Sequence, residues 1–200
     1  MNLMKAENGP QLRIEHYDST TIFLHWLSAA LVVGLWIAGQ SIGFFPRGAP
    51  RLTVRSLHIA IGAALALVLL LRLIWRQTRG TRLPTTDAGI LGRAASGMHH
   101  LLYALLIAIV VIGFACVWIR GDTVFNWFTV AAFDPGNKAL RHNAVELHAW
   151  VANLLLALVG VHAVAAVWHH RVLKDGVLQR MLPPWALRMS QRKASLADTF

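Results

Sequence analysis

The sequence predicts an all-α fold, an integral membrane four-helix bundle. Its 200 residues are 56% hydrophobic and only 14% charged, and its mean hydropathy of +0.52 is high for a soluble domain. Four apolar segments approach the ~20 residues that a helix needs to cross ~30 Å of hydrocarbon. They lie at about 22–43, 54–76, 96–118 and 146–170. The length of the chain fits one membrane domain and no more.

The three connections between these segments differ in character. The first, Phe44–Arg51, contains two prolines and a glycine and predicts a short ordered turn. The second carries Pro84 and Asp87 and predicts a linker. The third is the longest, from about 119 to 145, and its aromatic residues predict an interfacial segment that covers a site on that side of the bundle. These aromatic residues are Trp127, Phe128 and Phe133.

Basic residues predict the orientation of the bundle. Of the 19 Lys and Arg residues, 13 lie before the first apolar segment, from the last turns of the second to the start of the third, or after the fourth. The positive-inside rule therefore places both termini in the cytoplasm. Residues 1–19 lack the pattern of a removable signal peptide. We expect a cytoplasmic N-terminal segment at 1–21, a transmembrane domain at 22–170 and a cytoplasmic tail at 171–200.

Several kinds of chemistry are not indicated. Basic runs with interleaved aromatic residues are missing, so we expect no nucleic-acid partner. Catalytic nucleophile arrangements, phosphate-binding glycine loops and paired carboxylates are also missing, which argues against hydrolysis and phosphoryl transfer. The single cysteine, Cys116, lies within the third apolar segment and predicts a small core residue.

Four histidines at matched depths are the most informative feature. His25 and His58 lie a few residues into the first and second apolar segments, and His148 and His162 lie in the fourth. An imidazole inside a bilayer is costly and usually functional. His148 and His162 are 14 residues apart, which returns them to within ~40° of one helix face and separates them by about 21 Å along the axis.

The predicted orientation pairs these histidines. His58 and His148 lie near the outer side, whereas His25 and His162 lie near the cytoplasmic side. Two pairs of imidazoles in a bundle interior indicate two b-type haems. The chain has no Cys-x-x-Cys-His motif, so the haems would be held by ligation and packing alone. The alternative for any one histidine is a hydrogen bond between helices.

Two further residues are candidate haem contacts. Gly62, one turn from His58, would let a porphyrin plane approach the helix backbone. Arg55, just before His58, is a candidate partner for a haem propionate. Bis-imidazole ligation leaves no open position on the iron, which suits electron transfer better than oxygen binding.

Six segments of the chain together resemble the bacterial cytochrome b561 family. They are His25–Leu27, Gly43–Arg47, His58–Gly62, His148–Leu154, Gly160–Ala163 and Lys174–Pro183. The resemblance implies a four-helix transmembrane cytochrome b domain with two non-covalent b haems in the bacterial inner membrane. It is greatest for members that pass electrons from periplasmic superoxide to membrane ubiquinone, which would make the protein a quinone-reducing oxidoreductase.

Charge on the predicted outer side agrees with an anionic substrate. Six Lys or Arg residues there exceed the three acidic ones, and a positive mouth raises the encounter rate of an anion. Our candidate steering residues are Arg47, Arg120, Lys138 and Arg141. These residues could instead bind lipid phosphates or haem propionates.

Histidines at the cytoplasmic side could relay protons to a quinone, since an imidazole titrates near neutral pH. They are His99, His100, His169 and His170. The alternative is that they are simple polar helix ends.

Three function classes follow from these observations. The first is electron transfer from superoxide to ubiquinone, with membrane lipid, superoxide and quinone as partners and no obligatory protein partner. The second is a dihaem subunit that links a separate dehydrogenase or hydrogenase to the quinone pool. The third is a transporter or metal-handling bundle that uses the histidines directly.

Overall fold

The computed structural model describes residues 15–83, 89–183 and 185–186. Four long helices make up the described part: α1, Ser19–Ser41; α2, Ala49–Thr78; α3, Ile90–Arg120; and α4, Lys138–Trp168. All four are long and apolar enough to cross a membrane. The predicted all-α four-helix membrane fold is confirmed. We call the end where α1 begins the inner end and the opposite end the outer end.

Short elements join and extend the long helices. A 3₁₀ turn at Ile42–Phe44 follows α1, and a two-stranded antiparallel hairpin, β1 at Thr123–Val124 and β2 at Phe128–Thr129, connects α3 to α4. A π-helical turn at His169–Leu173 continues α4, and a 3₁₀ turn at Gln179–Met181 follows it.

Each long helix begins before the apolar segment that predicts it, and the difference is greatest for the last two. The fourth helix begins at Lys138 and not near 146, and the third begins at Ile90 and not near 96. The last connection therefore spans only residues 121–137 instead of about 119–145. Hydropathy does not predict the first two turns of α4, because they are polar. Asn137 caps this end of the helix by accepting a hydrogen bond from the backbone N–H of Leu140 at 2.9 Å.

The turn after α3 depends on Gly121. Its φ of +66° lies in the left-handed region that favours glycine. A Cβ atom at this position would also lie 2.8 Å from the Cβ of Ala132. The close approach packs the connection against the end of α3, where the ring of Phe133 lies 4.9 Å from that of Trp118. Trp127 remains 83% exposed.

An apolar core lies at mid-depth in the bundle. On α1 it follows His25, on α2 it follows His58, and on α4 it lies between His148 and His162. Its buried members are Val32, Leu35, Leu65, Leu69, Leu106, Ile109 and Leu155. Many other apolar side chains point outward, as expected for helices that face lipid. The core therefore separates the two histidine levels.

The chain after α4 folds back onto the inner end of the bundle. Three residues near the start of α1 donate hydrogen bonds to backbone carbonyls of this segment. The His16 ring donates to the carbonyl of Gln179 at 3.0 Å, and the Tyr17 N–H donates to that of Arg180 at 3.2 Å. The Trp26 indole donates to the carbonyl of Met181 at 2.8 Å. His169 also donates a hydrogen bond to Asp175. The first and the last parts of the described chain therefore lie together at the inner end of the bundle.

Some predictions fall outside the described residues. These include residues 1–14 of the N-terminal segment, residues 184 and 187–200 of the C-terminal tail, and the linker residues Pro84 and Asp87. The basic residues that lie there, and that entered the prediction of orientation, are Lys5, Arg13, Arg188, Arg192 and Lys193.

Asp18 ties the inner ends of α1 and α2 together. Its carboxylate accepts hydrogen bonds from the backbone N–H and hydroxyl of Thr21 at 2.9 and 2.7 Å, from the Trp75 indole at 2.9 Å and from the Thr81 N–H at 3.1 Å. Partial burial alone would raise the pKa of Asp18, but these hydrogen bonds outweigh it and hold the pKa well below its usual range.

We expect Asp18→Ala to destabilise the protein by about 2 kcal/mol, because it removes an N-cap and leaves the Trp75 indole without its acceptor. Thermal unfolding in detergent should then occur about 4–8 °C lower. Thr53→Ala, which removes an exposed hydroxyl that is hydrogen-bonded within its own helix, is the control.

The contribution of Asp18 to stability should also depend on pH. Because its folded-state pKa is lowered, this contribution should be complete above pH ~4, the unfolded pKa, and fall only below it. A stability difference that varies between pH 6 and pH 8 would contradict this account.

Candidate functional site

The four predicted histidines face each other in two pairs. At the outer level, the rings of His58 on α2 and His148 on α4 have centroids 6.1 Å apart. At the inner level, the rings of His25 on α1 and His162 on α4 have centroids 6.4 Å apart. A separation near 6 Å leaves room for one metal atom with a bond of ~2 Å to a nitrogen of each ring. The donor set therefore fits a bis-imidazole haem at each level.

Two glycines that sequence reasoning missed lie against the outer pair. A Cβ at Gly39 on α1 would lie 3.4 Å from Cε1 of His58, and one at Gly113 on α3 would lie 3.3 Å from Cε1 of His148. Larger residues there would crowd the rings. Among the described residues, and apart from the backbone of its own helix, Gly62, the predicted contact, has no atom within 4 Å of its Cβ position.

The Nδ1 atom of His148 is buried and has no hydrogen-bond partner among the described residues. A buried polar atom without a partner costs free energy. This cost is typical of a site that a bound group completes, and it supports a ligand at the outer level.

Charged and aromatic groups surround the inner pair. Nη2 of Arg72 lies 3.0 Å from Nδ1 of His25, and its guanidinium lies 5.1 Å from the centroid of the Tyr103 ring. The ring of His99 lies 5.3 Å from that of His162. Arg72 supported only the predicted orientation of the bundle, although an arginine inside an apolar segment is itself a functional signal.

The other candidate relay histidines do not join this group. Nδ1 of His100 lies 2.7 Å from the carbonyl of Ser96 on its own helix. His169 pairs with Asp175, and Nδ1 of His170 is buried without a partner among the described residues. Of the four, only His99 contacts a ring of the two pairs.

A cavity of about 580 Å³ lies at the outer end, and its lining includes Arg55 and Val145, which are about one helical turn outward from His58 and His148. Arg55 from α2, Arg120 from α3 and Arg141 from α4 all line it. Asp122, only 7% exposed, pairs with Arg55 at 3.4 Å and with Arg120 at 3.3 Å. Three guanidinium groups thus face one carboxylate, and the cavity is suited to an anion.

Some N–H donors of these arginines have no hydrogen-bond partner among the described residues. The Nε atoms of Arg55 and Arg141 are buried without partners in the described part of the chain. Of the four predicted steering residues, Arg120 and Arg141 line the cavity, whereas Arg47 and Lys138 are exposed and are not among its lining residues. Asp122 was not predicted as a site residue.

Comparison with known proteins gives consistent matches over most of the chain. The model of a family described as prokaryotic cytochrome b561 matches residues 16–184. A Yersinia pestis protein named probable superoxide oxidase CybB is 31% identical over 173 residues, which are 84% of this chain and 96% of that protein.

Two proteins of Escherichia coli K12 are similarly related. The one named cytochrome b561 homolog 1 is 30% identical over 85% of this chain and 98% of its own length. The one named cytochrome b561 homolog 2 is 34% identical over 84% of this chain and 92% of its own length.

Proposed function

The chain belongs to the prokaryotic cytochrome b561 family, whose members are bacterial membrane haem proteins of electron transfer, and from this premise we propose that it oxidises superoxide and reduces ubiquinone. Two superoxide anions would give up one electron each and leave as dioxygen. One quinone would take up the two electrons and two protons and become a quinol.

The observation that carries the proposal is the stacking of two facing histidine pairs at two levels of one bundle. His58 and His148 would hold the outer haem, and His25 and His162 the inner one. The bound haems would supply reversible one-electron chemistry. The apolar core between the two levels would exclude water from the interior, and Gly39 and Gly113 leave the outer rings uncrowded.

The arginine cavity supports an anionic substrate. Asp122 holds the guanidinium groups of Arg55 and Arg120 in place, while Arg141 faces the cavity without a carboxylate partner among the described residues. The excess positive charge would raise the local concentration of a small anion. The name of the Yersinia pestis relative, probable superoxide oxidase, agrees with this substrate.

The membrane location follows from the same proposal. Both termini would be cytoplasmic in the bacterial inner membrane, and the arginine cavity would open to the periplasm. The described basic residues of the inner end support this orientation: Arg72, Arg76, Arg79, Arg82, Arg93, Arg171, Lys174 and Arg180.

The first test is the haem content of the detergent-purified protein. We expect about two non-covalent b haems per chain, with a visible spectrum typical of bis-imidazole iron and little change on adding carbon monoxide, because no coordination position is open. Pyridine haemochrome analysis against protein concentration measures the ratio. A purified, folded protein with no haem would contradict the proposal and favour a transporter or metal-handling bundle.

A further inference from the structure

A polar cluster lies in the groove between α1 and α4. The indole Nε1–H of Trp36 donates to Oδ1 of Asn153 at 2.8 Å, and Nε2 of Gln40 donates to the same oxygen at 3.4 Å. Asn153 and Gln40 are both exposed on the outside of the bundle. Polar side chains at such positions in a membrane span are costly and usually functional.

These hydrogen bonds fix the orientation of the Asn153 amide. An indole nitrogen can only donate, so the atom facing Trp36 must be the amide oxygen. The amide NH₂ group therefore points away from Trp36. No residue in the described ranges accepts a hydrogen bond from it. Two donors remain available at the surface of the groove.

Asn153 also lines a small cavity. It measures about 160 Å³ and is lined by Glu146, Ala149, Trp150 and Asn153. The Trp150 side chain is 73% exposed and offers an aromatic face. Cavities for drug-sized ligands measure ~300–1,000 Å³, so this one has room for a single ring and little else.

At Asn153 the cavity lies at a depth between the two histidine levels. Along α4, Asn153 lies about 8 Å inward from His148 and about 14 Å outward from His162. Further inward on α4, the side chains of Val161 and Val164 are exposed and offer an apolar surface for a hydrocarbon tail. A ligand of this groove would thus have a flat ring with hydrogen-bond acceptors and a long apolar tail.

We propose that this groove binds the head group of a membrane quinone. Asn153 donates a hydrogen bond to one quinone carbonyl, and the ring stacks on Trp150. Trp36 and Gln40 are positioning residues, which hold the amide with its donors turned to the ligand. The assignment rests on the proposed function, since it locates the acceptor of that reaction.

The test is equilibrium binding of a short-chain ubiquinone analogue to the purified haem-loaded protein. Asn153→Asp keeps an oxygen for Trp36 and removes the NH₂ donors, so we expect about tenfold weaker binding. Trp36→Phe should weaken binding about threefold, because the amide is then free to turn. Ser41→Ala, which removes a hydroxyl bonded within α1, is the matched control and should bind as the wild type does.

Trp150→Leu is a second variant. It introduces no charge into the bundle, so it remains informative if Asn153→Asp fails to fold. It removes the exposed ring and should weaken binding about tenfold. Unchanged binding in both Asn153→Asp and Trp150→Leu would overturn the proposed site.

A kinetic measurement separates this site from the proposed function. In Asn153→Asp, superoxide should still reduce the haems at the wild-type rate, whereas reoxidation by the quinone analogue should slow about tenfold. If superoxide fails to reduce the wild-type haems, the proposed function is wrong, while the binding measurements still decide whether the groove holds a quinone.

Discussion

Replacing His58 or His148 by alanine is expected to remove the outer haem and to leave the inner one in place. Each alanine removes one of two axial ligands, and a haem without covalent attachment depends on both. Haem per protein should fall from about two to about one. His25→Ala and His162→Ala should give the same ratio through loss of the inner haem.

Spectroscopy distinguishes the two losses. The two outer-level variants should share one residual low-spin signal in electron paramagnetic resonance, and the two inner-level variants should share a different one. His100→Ala is the control, because it removes an imidazole from the inner end whose ring, among the described residues, hydrogen-bonds only Ser96 of its own helix. If His25→Ala and His58→Ala retained the same signal, the assignment of ligand pairs would be wrong.

Replacing Arg141 by glutamine is expected to slow the reduction of the haems by superoxide about tenfold at low ionic strength. Arg141 lines the anion cavity, and Asp122 pairs with the other two arginines there. Steering by a charged cleft can raise association rates by 10–10³. Salt screens this attraction, so the difference from wild type should shrink as salt is added.

Arg93→Gln is the matched control, because it removes the same charge from an exposed residue near the start of α3, at the inner end. Its rate with superoxide should equal that of the wild type. Lys138→Gln, outside the cavity but at the outer end, should have an intermediate effect. Haem content must be measured for each variant. An Arg141→Gln protein that loses the outer haem would show that Arg141 holds the cofactor and does not steer the substrate.

The helices could be predicted because crossing a bilayer imposes a length and an apolar composition on each segment. The facing of His58 with His148, and of His25 with His162, followed from alternating helix direction and from the 100° rotation per residue. Both arguments use only local periodicity and a single orientation. Neither requires knowledge of how the helices pack.

The remaining features depend on tertiary packing. Gly39 and Gly113 lie against histidines of other helices, and nothing in their local sequence distinguishes them from other glycines in apolar segments. The arginine cavity combines three helices with Asp122, which reaches them only because the connection after α3 folds over the outer end of α2. There the fully buried hydroxyl of Ser56 accepts a hydrogen bond from the Phe125 N–H at 2.9 Å.

The most direct test of the central claim is rapid mixing of the oxidised, detergent-purified protein with superoxide, followed by visible absorbance. We predict fast reduction of the haems and, when a soluble ubiquinone analogue is present, reoxidation and repeated turnover that forms quinol. A normal two-haem spectrum that superoxide does not reduce would contradict the claim. That result would favour a dihaem subunit that receives its electrons from a separate dehydrogenase or hydrogenase.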